Sequence, residues 1–72
     1  MAAPTTATEY RAHIDSGRTH LPLCACGWRG IPTPSLVTAW AQAKVHEQAQ
    51  HPGQRQALKA HADAVRRAAG RG

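Results

Sequence analysis

The chain has little from which to build a hydrophobic core. Its 72 residues include no phenylalanine, leucine, isoleucine and valine together number nine, and alanine supplies half of the apolar residues. A chain of this length makes one domain, and one so poor in large apolar side chains usually needs a covalent or metal staple to fold. It also lacks an apolar run of membrane-spanning length, so we expect a soluble protein located in the cytoplasm.

Acidic residues are scarce as well. The chain has four of them against nine lysines and arginines, which gives a formal net charge of +5 and a pI near 10.3. A cationic protein of this size favours a polyanionic partner such as DNA or RNA. The charge balance therefore indicates a class of partner and not a specific target.

The only two cysteines, Cys24 and Cys26, lie two residues apart. In an extended strand such residues point the same way, so both thiols can approach one ion. Gly27 supplies the permissive backbone for a tight turn, and Trp28 can fold over the site as a lid. A disulfide across so short a loop would be strained, and a redox pair usually has two intervening residues. We also expect no signal peptide and therefore a reducing compartment. The pattern therefore favours a metal-binding knuckle.

Two histidines downstream, His46 and His51, are separated by a gap that is usual for paired histidines in structural zinc sites. On an ideal helix five residues turn by about 140°, so the two imidazoles would diverge. Pro52 disfavours the helical conformation of His51 and would let that side chain turn toward the knuckle. We therefore predict one Zn²⁺ site. Its ligands are Cys24, Cys26, His46 and His51, with His20 or His61 as possible replacements for His51.

The stretch Cys24-Ala25-Cys26-Gly27-Trp28, with two histidines downstream, resembles the Cys2His2 zinc-finger class. It looks most like the small single-finger proteins of actinobacteria and their phages that carry a Cys-x-Cys-Gly-Trp knuckle. The resemblance covers residues 21–51. The familiar eukaryotic finger has two residues between its cysteines and about twelve before its first histidine, whereas this chain has one and nineteen. The resemblance therefore implies zinc binding but not base-by-base reading of DNA.

The pattern predicts a small zinc-stabilised α+β fold with a ββα-like core. A capping box at residues 6–9 and the spacing of Tyr10 and Ile14 predict a short helix over Ala7–Ser16. Residues 19–25 and 28–31 read as a hairpin, in which Pro22 suggests an edge strand. Thr33-Pro34 predicts the start of a helix over residues 34–50. The expected apolar stripe of this helix consists of Leu36, Trp40, Ala43 and His46. Its outward residues should be Thr38, Gln42, Lys44, Val45 and Gln48.

Beyond Pro52-Gly53 the sequence predicts a helix over residues 54–69. Arg55, Lys59 and Arg66 fall on one side of it, with Arg67 beside the last, and these four are the candidate nucleic-acid contacts. The opposite stripe is thin, so this helix either packs on the finger or extends into solvent. Its expected members are Leu58, His61 or Ala62, Val65 and Ala69. The predicted organisation is a disordered N-terminus (1–5), a zinc-finger domain (6–52) and a C-terminal basic helix (53–72).

Four protein ligands would close the coordination shell of the zinc ion, so we expect a structural site and no enzyme. Glu47 is the nearest carboxylate in sequence, but a helical neighbour of His46 points about 100° away from it. The expected function is a nucleic-acid-binding regulator or accessory protein of a phage or mobile element, acting in the host cytoplasm if phage-encoded. One alternative is a module that binds a host or phage protein, and a second is a structural assembly protein.

Overall fold

The computed structural model describes residues 11–70, in which two strands precede two helices. The strands are β1 (Ala12–Ser16) and β2 (His20–Cys24), and the helices are α1 (Leu36–Gln50) and α2 (Gln56–Gly70). This is a small α+β fold, as the sequence predicted. Neither α1 nor α2 has the length and apolar character that crossing a bilayer requires.

The segment expected to end the N-terminal helix is instead strand β1. It pairs antiparallel with β2, from Ala12 opposite Cys24 to Ser16 opposite His20, and Gly17 donates its N–H to Thr19 O at 2.8 Å in the connecting turn. The helix prediction for Ala7–Ser16 is therefore wrong over residues 12–16. Residues 7–10, like the predicted disordered segment 1–5, lie outside the described part of the chain.

The four-residue spacing of the apolar residues explains why a helix was predicted here. Residues four apart share a face in a helix and also in a strand, so the spacing of Tyr10 and Ile14 fits both. Within β1, Ala12 and Ile14 are half-buried while His13 and Asp15 are exposed, which is the alternation of a strand. A short isolated helix is only marginally stable in water, so pairing with β2 decides the conformation.

The predicted second strand of the hairpin, residues 28–31, runs along the other edge of β2 but forms only isolated bridges. Gly30 donates its N–H to Pro22 O at 2.9 Å, and Leu23 bridges to Arg29. Because proline has no N–H, Pro22 accepts a hydrogen bond from this segment and returns none. The partner of β2 in the regular ladder is therefore β1, and residues 28–33 add an irregular third segment.

Gln42 fixes this third segment to α1. Its side-chain Nε2 donates to Ile31 O at 2.9 Å, while its Oε1 accepts from Ile31 N at 2.8 Å. We expected Gln42 to point outward, and this was wrong. The contact also leaves no room at Gly30, where an added Cβ would lie 2.5 Å from Gln42 Oε1 and 2.6 Å from Pro22 Cγ.

Helix α1 begins two residues later than predicted. Ser35 is its N-cap, since the Ser35 hydroxyl accepts the Thr38 N–H at 3.1 Å. Thr33 supports the cap by accepting the Ser35 N–H on its own hydroxyl at 3.2 Å. Pro34 therefore precedes the cap and is not the first helical residue. The end of α1 at Gln50 is the predicted one.

The two helices pack against each other through alanines. Ala39 and Ala43 of α1 and Ala57 and Ala64 of α2 are all buried. Alanine lets helix backbones approach closely. Of the two predicted alternatives for α2, the structure therefore shows packing and not extension into solvent. The predicted stripe of α1 was right in part, since Ala43 is buried but Leu36 is exposed, and no residue of the predicted stripe of α2 is buried. Leu36, Leu58 and Val65 are about 40% exposed (40%, 38% and 42%), and Trp40 is half-buried.

A carboxylate lies in the same seam, one turn beyond Ala43. Glu47 is fully buried, and its Oε2 accepts the Ala57 N–H at 2.8 Å while its Oε1 accepts the Leu58 N–H at 3.2 Å. These two amides belong to the first turn of α2, whose own sequence there contains no acidic residue. Glu47 therefore caps α2 from the neighbouring helix and places a negative charge at its positive end.

Candidate metal centre

The fold brings together the four side chains that the sequence singled out. The ligand atoms of Cys24, Cys26, His46 and His51 all lie within 4.8 Å of one another. Cys24 ends β2, Cys26 lies in the following turn, His46 is in the last turns of α1, and His51 is its C-cap. Two thiols and two imidazoles from three separate parts of the chain thus converge on one point, and this arrangement can hold a metal ion.

The cysteine side of the cluster is a tight turn. Gly27 donates its N–H to Cys24 O at 2.9 Å and has a φ of 106°, a left-handed conformation that residues with a Cβ rarely adopt. Trp28 O then accepts the Cys24 N–H at 2.9 Å, which closes the loop over Cys26. The predicted role of Gly27 in this turn is confirmed.

The histidine side depends on how α1 ends. His51 leaves the helix with φ −134° and ψ 59°, although its N–H still donates to Glu47 O at 2.8 Å. Pro52 follows directly and disfavours the helical conformation at His51, as predicted. The change in backbone direction turns the His51 ring toward the same point as the His46 ring, despite their five-residue separation.

Two sulfur–nitrogen distances within the cluster fit a tetrahedral ion. Cys24 Sγ lies 3.6 Å from His51 Nε2, and Cys26 Sγ lies 3.4 Å from His46 Nε2. A tetrahedral centre with zinc–sulfur bonds of about 2.3 Å and zinc–nitrogen bonds of about 2.05 Å requires a sulfur–nitrogen separation of about 3.6 Å. Both measured separations are within about 0.2 Å of that value.

Trp28 covers the histidine side of the cluster. Its ring stacks on the His46 imidazole with centroids 4.3 Å apart and an interplanar angle of 6°. The His46 and His51 rings meet edge to face at 5.1 Å and 71°. The stacking restricts rotation of the His46 ring and keeps its Nε2 directed at the thiols. Trp28 is therefore the lid that the sequence suggested.

Burial differs among the four side chains, and it changes the pKa of Cys24 and of His46. Cys24 is buried while Cys26 is exposed. Burial raises the pKa of the Cys24 thiol, and the neighbouring Cys26 thiol adds to that rise. Burial also lowers the pKa of His46, as does the adjacent His51. His46 is therefore kept in the neutral form that binds metals, whereas Cys24 must give up a proton when a metal binds.

The alternative ligands lie outside this cluster. His20 Nδ1 instead lies 2.8 Å from Ser16 Oγ within the hairpin, and His61 is on α2. Glu47, the neighbour of His46, directs its carboxylate to the first turn of α2. The geometry thus favours His51 as the fourth member.

The four candidate nucleic-acid contacts do not form a compact site like the metal cluster. Arg55, Lys59, Arg66 and Arg67 are all exposed. Arg66 and Arg67 each form an ion pair with Asp63 at 3.1 Å. The sequence interpretation missed this acid, which offsets part of the positive charge at that end of α2. It missed Gln42 and Glu47 too, and only the helical spacing of Ala39, Ala43 and Glu47 could have placed Glu47 in the seam.

Comparison with protein-family models, with curated proteins and with solved structures found no match. The resemblance to Cys2His2 fingers therefore rests on the knuckle and on the geometry of the four side chains. That geometry includes the inward turn of the His51 side chain, which the identity of the four ligand residues does not specify.

Proposed function

We propose that the protein is a small structural-zinc module that binds one Zn²⁺ through Cys24, Cys26, His46 and His51. The observation that carries this proposal is the convergence of their ligand atoms within 4.8 Å. Two thiolates and two imidazoles in a tetrahedral arrangement are typical of structural zinc sites. Four protein ligands fill the tetrahedral shell, which supports a structural role and not an enzymatic one.

The thin core supports the same proposal. Its buried apolar residues are small, namely four alanines, Pro22 and Cys24, while larger apolar side chains are partly exposed. Structural zinc in finger peptides contributes about 10–16 kcal/mol of apparent binding free energy at neutral pH. A contribution of that size offsets the lack of apolar burial, so metal binding and folding should occur together.

We propose further that the zinc module binds nucleic acid through the phosphate backbone. The exposed side of α2 supports this, because Arg55, Lys59 and Arg66 lie opposite the buried Ala57 and Ala64 along the helix. Packing on α1 therefore leaves the basic side free. Basic side chains without a set of base-reading partners contact phosphates and bind all sequences alike. A role as a regulator or accessory factor would follow from such binding.

A salt titration against duplex DNA tests the proposed partner. The zinc-loaded protein should lose affinity steeply as salt rises, because phosphate contacts release counterions. Replacing Arg55, Lys59 and Arg66 together by glutamine should weaken binding to every sequence. The same change should reduce the salt slope by up to roughly three phosphate contacts.

A charge-matched triple variant gives the control. Replacing Arg11, Arg18 and Arg29 by glutamine removes the same charge from exposed positions in and beside the hairpin. This variant should keep more of the affinity and of the salt slope than the α2 triple. Equal losses in both would mean that binding follows net charge and not the α2 surface. No binding by the zinc-loaded wild type at low salt would refute the nucleic-acid proposal.

A second candidate function is recognition of a protein, and a groove between α1 and α2 supports it. The groove has a volume of about 530 Å³ and lies where the start of α1 faces the end of α2. Its apolar lining consists of Leu36, Val37, Trp40, Ala60, Ala64 and Ala68. A groove of this size has room for several apolar side chains presented by a partner. Failure of the salt titration would favour this function over nucleic-acid binding.

A further inference from the structure

Glu47 links the segment that carries the two histidines to the start of α2. Glu47 follows His46 directly, and its backbone oxygen accepts the N–H of His51 at 2.8 Å. Its side chain points the other way, where it is fully buried and accepts the N–H groups of Ala57 and Leu58. One residue thus contacts both the segment that carries the histidines and the first turn of α2.

The stability of this contact depends on how well the Glu47 carboxylate is aligned with the two amides of α2. Burying a carboxylate is strongly unfavourable unless hydrogen bonds replace its lost hydration. The two α2 amides supply such bonds, and in turn they need an acceptor because the first N–H groups of a helix have no partner within it. Displacement of Glu47 would therefore weaken both the end of α1 and the start of α2.

We propose that Glu47 couples metal binding to the docking of α2. This inference rests on the proposed zinc site. A metal bound by His46 and His51 fixes both ends of the last turn of α1, and Glu47 lies within that turn. Without the metal this turn is free to fray, and the carboxylate no longer stays aligned with the α2 amides. The basic side of α2 is then presented in a fixed position only by the metal-loaded protein.

Thermodynamic linkage makes the coupling reciprocal. If metal binding stabilises the docked position of α2 by a given factor, docking of α2 tightens metal binding by the same factor. Loss of the Glu47 carboxylate should therefore lower metal affinity, although Glu47 is not a ligand. A residue that served only to fill space in the seam would have no such effect on the metal.

Hydrogen exchange measured by NMR tests the proposal, together with zinc affinity from chelator competition. The variant is Glu47→Gln, which keeps the side-chain length but presents one acceptor oxygen and an NH₂ group. With zinc bound, the Ala57 and Leu58 amides should exchange on the order of tenfold faster than in the wild type, since hydrogen bonds to a charged group are lost. The amides of Cys24 in the knuckle and of Gly30 in the third segment should stay protected. The zinc dissociation constant should rise on the order of tenfold by the same linkage.

The neighbouring exposed residue provides the matched control. Gln48→Ala alters the same turn of α1 on its outer side and should change neither zinc affinity nor α2 exchange. Glu47→Asp keeps the charge but shortens the side chain, so it should show smaller effects in the same direction. It serves as the second variant if Glu47→Gln does not fold.

Two results would overturn the coupling. One is wild-type zinc binding accompanied by α2 exchange that is equally fast before and after confirmed zinc removal. The other is that Glu47→Gln and Glu47→Asp both show the same zinc affinity and the same protection of α2 as Gln48→Ala. A wild-type chain that binds no zinc would instead refute the proposed zinc module itself, so the two failures are distinct.

Discussion

Gly30 is the position where one added methyl group should do the most damage away from the metal ligands. In Gly30→Ala the new Cβ would meet Gln42 Oε1 at 2.5 Å, Pro22 Cγ at 2.6 Å and Trp28 Cη2 at 3.1 Å. The first two separations are shorter than Cβ atoms tolerate. The Gln42 side chain can rotate away, but the Pro22 ring belongs to β2 and is buried. Relief therefore requires both loss of the Gln42 contact and a shift of the backbone at residue 30.

The expected loss of stability follows from these two changes. Gln42 makes two hydrogen bonds to Ile31, and each contributes about 1 kcal/mol net. Forcing a methyl group into a packed site adds about 1–3 kcal/mol. We therefore expect Gly30→Ala to lower the free energy of unfolding by about 3–5 kcal/mol. The displaced segment includes Trp28, so the stack on His46 should loosen as well.

Urea unfolding of the zinc-loaded protein at one fixed zinc concentration measures this difference, and Gly17→Ala is the matched control. An added Cβ at Gly17 has nothing within 4 Å, and Gly17 does not adopt a positive φ. The control should therefore stay within about 0.5 kcal/mol of the wild type, as exposed substitutions generally do. Equal midpoints for the two variants would show that the Gln42–Ile31 contact does not hold the third segment in place.

Three further predictions concern the metal. Removing zinc with a chelator should abolish most of the helical circular dichroism signal, and a full spectrum after confirmed zinc loss would contradict metal-dependent folding. Cys26→Ser and His51→Ala should each lower zinc affinity on the order of a hundredfold or more, whereas His13→Ala and His20→Ala should not. If His20→Ala releases zinc and His51→Ala does not, the assignment of His51 as the fourth ligand is wrong. Because burial raises the pKa of Cys24, its proton must leave when zinc binds, so affinity should rise with pH and fall as pH drops. Competition titrations between about pH 5 and 8 measure this, and a flat profile would refute it.

The metal cluster could be predicted because its determinants are local. The separation of Cys24 from Cys26, the glycine after them and the proline after His51 each restrict the backbone over one or two residues. Such restrictions act in the same way whatever surrounds them. The structure shows a left-handed Gly27 and a His51 that leaves the helix, as expected. The two cysteines converge by a different route, because β2 ends at Cys24 and Cys26 lies in a turn and not in an extended strand.

The rest of the fold depended on partners distant in sequence. The strand conformation of β1 is decided by pairing with β2, and the spacing of Tyr10 and Ile14 could not distinguish it from a helix. Apart from Ala43, the helix seam could not be predicted, because large apolar residues such as Leu36 and Val65 are the usual residues of a core. The observed seam uses alanines, which carry little hydrophobicity but allow close approach of the backbones. Glu47 was missed because its partners are backbone amides of another helix.

The unequal exposure of Cys24 and Cys26 has a consequence for the lifetime of a bound metal. A competing thiol or chelator replaces ligands one at a time, and it must first reach one of them from solvent. Cys26 is exposed in the turn, while Cys24 at the end of β2 is only 6% exposed. Exchange should therefore begin at the Cys26 bond and end at the Cys24 bond. The rate of metal release is then set by access to one side of the site, and two variants of equal zinc affinity can differ widely in how long they hold the ion.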